Sequence, residues 1–288
     1  MADGLRVTTD DGVSLACDSV GDGPAILFLH EFAGDARDWA PQTAELSRAF
    51  RCVTTNARGY PPSDVPADVA AYSQDRAVND AVAVLDALGL ARVHLVGHSM
   101  GSYTALHLAL RAPGRIASVV ATGCGWGSDP NARAETAAMC RDVARMFSDE
   151  PIAVAARSYA AAPMRRAFKA RDPEGFEAFV ARLAEHSPVG AANTMLGVQM
   201  RRPILSDMAP ALAHMATPLL IVVGDDDASC LEGSLLLKRT APNSALMVVP
   251  RCGHQIGSEE PALFTNAVRD FVRAVEDGSW TAPGLPWS

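Results

Sequence analysis

The sequence predicts an α/β protein: a mostly parallel central sheet, helices on both faces, and an all-helical insertion. Three observations carry this. Short apolar runs alternate with helical-period segments through the first part of the chain, up to Ala121. From about Gly127 to Met215 the spacing of apolar residues is helical, with no convincing strand. At Thr217-Pro218 the alternation resumes, and it closes on a helix with one apolar face. Strand–helix–strand repetition needs crossover connections, which place helices on both sides of a parallel sheet.

Each element has a local reason. Leu5–Thr9 and Val13–Val20 flank Asp11-Gly12, a strong hairpin turn signal. Gly23-Pro24 breaks the chain, and Ala25–Leu29 is the all-apolar run of a strand buried on both faces. A helix follows Asp38 with Leu46 on its inner face, and Cys52–Thr55 reads as a strand. Arg76–Leu88 is helical, with Val78, Val82, Leu85 and Leu88 at helical spacing and Gly89 as its stop. Val93–Val96 and Ile116–Ala121 are buried strands, with the helix Met100–Arg111 between them. In the insertion, Met139, Val143 and Phe147 mark one helical face, and Phe176, Phe179, Val180 and Leu183 another; a third helix spans Val189 to Met200. Leu219–Val223 and Ala245–Val249 are the last strands. Phe264, Val268, Phe271 and Val275 line the closing helix, which begins at Pro261. Ser279–Ser288 reads as a loosely packed tail.

Composition narrows the class. The 288 residues are 49% hydrophobic and 20% charged, which excludes a disordered chain and suits one elaborated domain or two small ones. A net charge of −8 repels phosphate backbones and anionic lipids, so neither nucleic acid nor membrane is expected as a partner. No apolar run approaches the roughly 18 residues of a membrane span. Met1-Ala2-Asp3-Gly4 lacks the basic start of a signal peptide, so a cytoplasmic protein is expected. The six cysteines form no Cys-x-x-Cys pair and read as buried thiols.

The sharpest chemical signal is Gly97-His98-Ser99-Met100-Gly101, placed between a strand and a helix. The string alone is weak, but its context is what a nucleophile elbow needs: a sharp strand-to-helix turn that lifts the Ser99 hydroxyl above the sheet edge. A serine hydroxyl also needs a base. Of seven histidines, His254 follows the last strand and can reach back over Ser99, whereas His30 and His98 are expected to brace the backbone. The base needs a carboxylate to hold its tautomer, and Asp225, Asp226 and Asp227 after the strand Leu219–Val223 offer three. Backbone amides of Met100 and of the turn His30-Glu31-Phe32 are the expected oxyanion donors.

With these residues in place, the chain resembles an α/β-hydrolase-fold serine hydrolase with a helical cap. His30-Glu31-Phe32 resembles the family's His-Gly-x oxyanion motif, Asn56–Tyr60 its Asp-x-Arg-Gly-x turn, and Gly97–Gly101 its elbow. Gly224–Asp227 resembles the Gly-x-x-Asp acid motif, which selects Asp227, and Gly253-His254 the base motif. The resemblance implies catalytic Ser99, Asp227 and His254 and an oxyanion hole at Phe32 and Met100. It implies no cofactor or metal, and a small ester or lactone as substrate. It divides the chain into core (1–126 and 216–278), cap (127–215) and tail (279–288). Trp39, Tyr103 and Trp126 are candidates to line the substrate pocket, with core packing as the alternative for each.

Two positions depart from the family pattern. Asn56 replaces an aspartate at a structural turn. Glu31 replaces the glycine beside the oxyanion hole, and is expected to turn away and pair with a base such as Arg58. Arg165-Arg166 and Arg201-Arg202 are candidates to hold an acidic substrate, against the plainer reading of solvated faces. Carbon–carbon bond hydrolases, amidases and cofactor-free perhydrolases share the triad and are the rivals within the fold; a non-catalytic binding module is the rival outside enzymes. A monomer or homodimer is expected.

Overall fold

A computed structural model of the chain describes residues 4–281. Its eight strands are β1 (Leu5–Thr8), β2 (Ser14–Val20), β3 (Ala25–Leu29), β4 (Arg51–Thr55), β5 (Val93–His98), β6 (Ile116–Thr122), β7 (Leu219–Gly224) and β8 (Ser244–Val249). They form one sheet in the order β1-β2-β4-β3-β5-β6-β7-β8. The β1–β2 and β2–β4 pairs are antiparallel and the rest parallel. Gly12 closes the first hairpin at φ 84°.

The pleat of β3 shows how the sheet builds two cores. Leu27 and Leu29 face one side, where they join Val78 and Leu85 of α2 (Gln74–Ala87) and Leu106 of α3 (Met100–Arg111). Ile26 and Phe28 face the other, against Leu46 of α1 (Ala40–Leu46) and the closing helix. Every residue of β3 is buried, as its all-apolar run predicts. Each fully buried Ile, Leu or Phe contributes about 1.5–3 kcal/mol.

Between β6 and β7 the chain is helical: α4 (Arg133–Asp149), α5 (Ile152–Ala160), α6 (Arg166–Arg171), α7 (Pro173–Leu183), α8 (Pro188–Thr194) and α9 (Leu205–Leu212). Helices α4 to α8 share an apolar cluster with Phe32, Tyr60 and Tyr72 from the sheet's loops and Met100 from the start of α3. Helix α9 instead presents Leu205, Met208 and Leu212 to the sheet. After β7 come α10 (Ala228–Thr240), α11 (Ile256–Glu259) and α12 (Pro261–Glu276). Among the described residues no helix is long and apolar enough to cross a membrane.

Three elements differ from expectation. Strand β5 continues through Gly97 and His98, which pair with Ala121 and Thr122 and carry the strand into the elbow. Helix α2 starts at Gln74 because the Ser73 hydroxyl accepts from the Arg76 N–H and caps it. The helix expected over Val189–Met200 is α8 followed by a π-helical turn, Met195–Gln199. There Gly197 presses on the chain at Tyr72, and a Cβ on it would come within 2.4 Å of the Tyr72 carbonyl oxygen. In the tail, Trp280 packs on Phe271 and its indole donates to Asn243 Oδ1 at 2.8 Å. The remainder of that tail, from residue 282, and residues 1–3 lie outside the described part.

Candidate active site

Four loops converge at the carboxyl ends of parallel strands, following β3, β5, β7 and β8. The turn after β5 carries Ser99 at φ 50° and ψ −108°, a costly conformation for a residue with a Cβ. Its surroundings hold it there. The Ser99 N–H donates to the Thr122 carbonyl at 2.8 Å. The Ser102 hydroxyl lies 2.8 Å and 2.9 Å from the Gly97 and Thr122 carbonyls. Both glycines of the motif are needed for close approach. A Cβ on Gly101 would lie 2.0 Å from the Leu29 carbonyl oxygen, and one on Gly97 2.5 Å from that of Gly101.

His254 is fully buried, and its backbone is clamped on both sides. Its N–H donates to the Met164 carbonyl at 3.0 Å, and its carbonyl accepts from His98 Nε2 at 2.8 Å. Glu259 accepts from the N–H groups of Gly253 and Gln255, at 2.9 Å and 3.0 Å, and so fixes the same loop. The His254 Nδ1 hydrogen donates to Asp227 Oδ2 at 2.6 Å. Asp227 is the buried member of the acidic triplet, while Asp225 and Asp226 are exposed. Burial pushes the Asp227 carboxyl up, but the neighbouring His254 and hydrogen bonds from His254 and Ser229 outweigh it and hold it at about 2. The other ring nitrogen, Nε2, has no hydrogen-bond partner among the described residues. His254 and Ser99 line the same cavity, of about 260 Å³, together with Phe32, Trp126 and Tyr159.

Of the remaining predicted residues, Phe32 lines this cavity, and Met100 follows Ser99 at the start of α3. Trp126 lines the cavity, but Trp39 and Tyr103 do not, which corrects those two pocket assignments. Trp39 packs on Phe28 and Phe264 behind the sheet. Tyr103 is buried under Arg202, whose guanidinium lies 3.8 Å from the ring centroid, and its hydroxyl is 2.7 Å from Ser128 Oγ.

Glu31 corrects a further expectation. Arg58 is taken by Asp80 and Asp11, at 2.6 Å and 2.9 Å. Glu31 instead points into the protein and pairs with Arg165, whose Nη2 donates to its two oxygens at 3.0 Å and 2.8 Å. Gln255 Nε2 donates to it as well. Both members of the ion pair are buried, and Glu31 Oε2 lies 3.7 Å from His254 Nε2. Burial raises the Glu31 carboxyl, and the charge of Arg165, the neighbouring His98 and His254 and the hydrogen bond from Arg165 together outweigh it, holding it at about 2. Sequence spacing does not reveal Arg165 and Gln255 as partners, since 134 and 224 residues separate them from Glu31. Each arginine doublet has one buried and one exposed member; of the buried ones, Arg165 pairs with Glu31 and Arg202 stacks on Tyr103, while Arg165 Nε and Nη1 and Arg202 Nη1 have no hydrogen-bond partner among the described residues.

These carboxyls set a pH dependence. Asp227 and Glu31 are held at about 2, below their ordinary values of 3.8 and 4.5. Their contribution to stability is therefore complete above the unfolded-state values and is lost as pH falls through the folded ones. The urea midpoint is expected to hold near neutrality and to fall steeply between about pH 4.5 and pH 2. A midpoint that rises over that interval contradicts the ion-paired arrangement.

A family profile described as alpha/beta hydrolase fold matches residues 24–261. The chain belongs to that family, and it is a hydrolase of this fold. It is similar to a thermophilic esterase from Thermogutta terrifontis, with 29% identity and a TM-score of 0.83 over 95% of this chain and 99% of the esterase. A hydrolase from Pseudomonas aeruginosa aligns at 26% identity and a TM-score of 0.83 over 94% of this chain and 98% of its own. The 3-oxoadipate enol-lactonase 1 of Acinetobacter baylyi is 26% identical over 94% of this chain and 98% of its own length.

Proposed function

We propose that this α/β-fold hydrolase cleaves small carboxylic esters or lactones through an acyl-enzyme on Ser99. The observation that carries the reading is His254: Nδ1 is anchored on buried Asp227 at 2.6 Å, while the unpartnered Nε2 shares a cavity with Ser99. His254 Nε2 takes the Ser99 proton as Oγ attacks the carbonyl carbon. The resulting oxyanion is held by the backbone amides of Phe32 and Met100. When the tetrahedral adduct collapses, His254 gives the proton to the leaving oxygen. Water, deprotonated by the same nitrogen, then attacks the acyl carbon; as the C–Oγ bond breaks, His254 returns that proton to Oγ and frees Ser99. Asp227 keeps Nε2 as the acceptor and stabilises the imidazolium without taking its proton. Helices α4 to α8 act as the cap that covers the site. The names of the esterase and lactonase relatives point to the same bond class.

The test is release of p-nitrophenol from p-nitrophenyl butyrate, with ring opening of a small lactone in parallel. Asp227→Asn is expected to lower kcat by about 10⁴-fold, because the amide favours the wrong imidazole tautomer. Turnover unchanged in that variant contradicts the proposal. Cleavage of a dienone in the absence of ester or lactone turnover moves the carbon–carbon hydrolase reading ahead.

A further inference from the structure

The walls of the Ser99 cavity are mostly apolar. Met139, Val143, Met146, Met164 and Met195 line it, and among the described residues neither Lys nor Arg does. Methionine side chains adapt to irregular apolar shapes and offer nothing to pair with a charge. The two buried guanidinium groups nearby are not part of the cavity lining; each contacts protein groups, and Arg165 Nε and Nη1 and Arg202 Nη1 have no hydrogen-bond partner among the described residues. Arg165 is neutralised by Glu31 and lies 5.1 Å and 5.2 Å from the ring centroids of Tyr159 and Phe179. Arg202 covers Tyr103 and donates to the Trp126 carbonyl at 2.9 Å. A ligand carboxylate in this cavity therefore meets no lining cation to offset its desolvation.

Beside Ser99 and His254, three polar side chains line the cavity, Ser158, Tyr159 and Gln199, and of these three only Gln199 has a buried atom without a hydrogen-bond partner among the described residues. Gln199 ends the π-helical turn Met195–Gln199, is 6% exposed and lines the cavity, and its Oε1 has no hydrogen-bond partner. A buried amide left unpaired is costly, and π-helical turns often mark functional positions. An amide presents both a donor and an acceptor and carries no charge, so it suits a neutral hydrogen-bonding group and offers an anion no neutralisation.

We propose that the cavity above Ser99 takes an uncharged, largely apolar acyl or lactone group bearing one hydrogen-bonding function, which Gln199 reads. This rests on the reading of that cavity as the substrate site. It separates the chain from a lactonase whose substrate, by its name, is a 3-oxoadipate derivative.

The experiment uses the full-length Ser99→Ala protein, so that binding is measured without turnover. Calorimetry compares ethyl hexanoate, its 3-, 4- and 5-oxo derivatives, and monoethyl adipate. Monoethyl adipate is expected to bind at least about 100-fold more weakly than ethyl hexanoate, since its carboxylate has no partner in the cavity. At least one oxo isomer is expected to bind about fivefold more tightly than ethyl hexanoate, the gain from one neutral hydrogen bond. That gain should vanish when Gln199→Leu is added, or Gln199→Met should the leucine variant fail to fold. Adipate binding equal to that of ethyl hexanoate overturns the proposal. So does the absence of any oxo advantage, or an advantage that survives loss of the amide. Acid release from ethyl hexanoate by the wild type is followed separately. If it is missing while the binding ratios hold, the hydrolytic reading fails and the account of the cavity stands.

Discussion

Replacing Ser99 by alanine is expected to lower kcat/KM for a p-nitrophenyl ester by about 10⁴–10⁶-fold while leaving the fold intact. The size of the loss follows from the division of labour at the site. Without Oγ no acyl-enzyme forms, and the residual rate comes from the oxyanion amides acting on a water. The fold should persist because the interactions holding the elbow are backbone contacts and the Ser102 hydroxyl, none of which uses Ser99 Oγ. Alanine keeps the Cβ, so the backbone strain at φ 50° also remains. Initial rates and a melting curve on the same preparation separate the two effects. A loss below tenfold contradicts the nucleophile assignment.

The second large effect lies in the ion pair beneath the base. Arg165→Met should destabilise the protein by about 3–5 kcal/mol, because it leaves the Glu31 carboxylate buried without its partner. Turnover should fall with it, since the oxyanion would then develop near an unneutralised anion that lies 3.7 Å from His254 Nε2. Adding Glu31→Gln should restore most of the stability, because a neutral amide carries a much smaller desolvation cost and still has Gln255 as a neighbour. Urea midpoints for the wild type, the two single variants and the double variant give the coupling directly. Additive losses contradict the pairing.

The contrast between these two sites shows what the sequence makes legible. The elbow is a local object. The buried strand β5, the glycines and the start of α3 are contiguous, and strand-to-helix context is enough to place Ser99. Asp227 and His254 are legible for a related reason, since each follows a parallel strand and the topology brings those ends to one edge. The Glu31–Arg165 pair is not local. Arg165 comes from the helical insertion, and its approach to the loop after β3 depends on how α4 to α8 pack, which apolar periodicity does not determine. Trp39 and Tyr103 show the limit for aromatic residues: their types suit a pocket wall and a core equally, and only packing separates them from Trp126. The π-helical turn at Gln199 is hidden because its apolar spacing passes for an ordinary helix. Helix α2 begins two residues before the expected Arg76, because the Ser73 cap and not the apolar stripe sets its start.

The central claim is that Ser99 is an activated nucleophile. It is tested most directly by treating the wild type and Ser99→Ala with a small alkyl fluorophosphonate and measuring intact mass. One phosphonyl adduct is expected on the wild type and none on the variant. A folded wild-type protein that takes up no adduct, or an adduct that persists in Ser99→Ala, contradicts it.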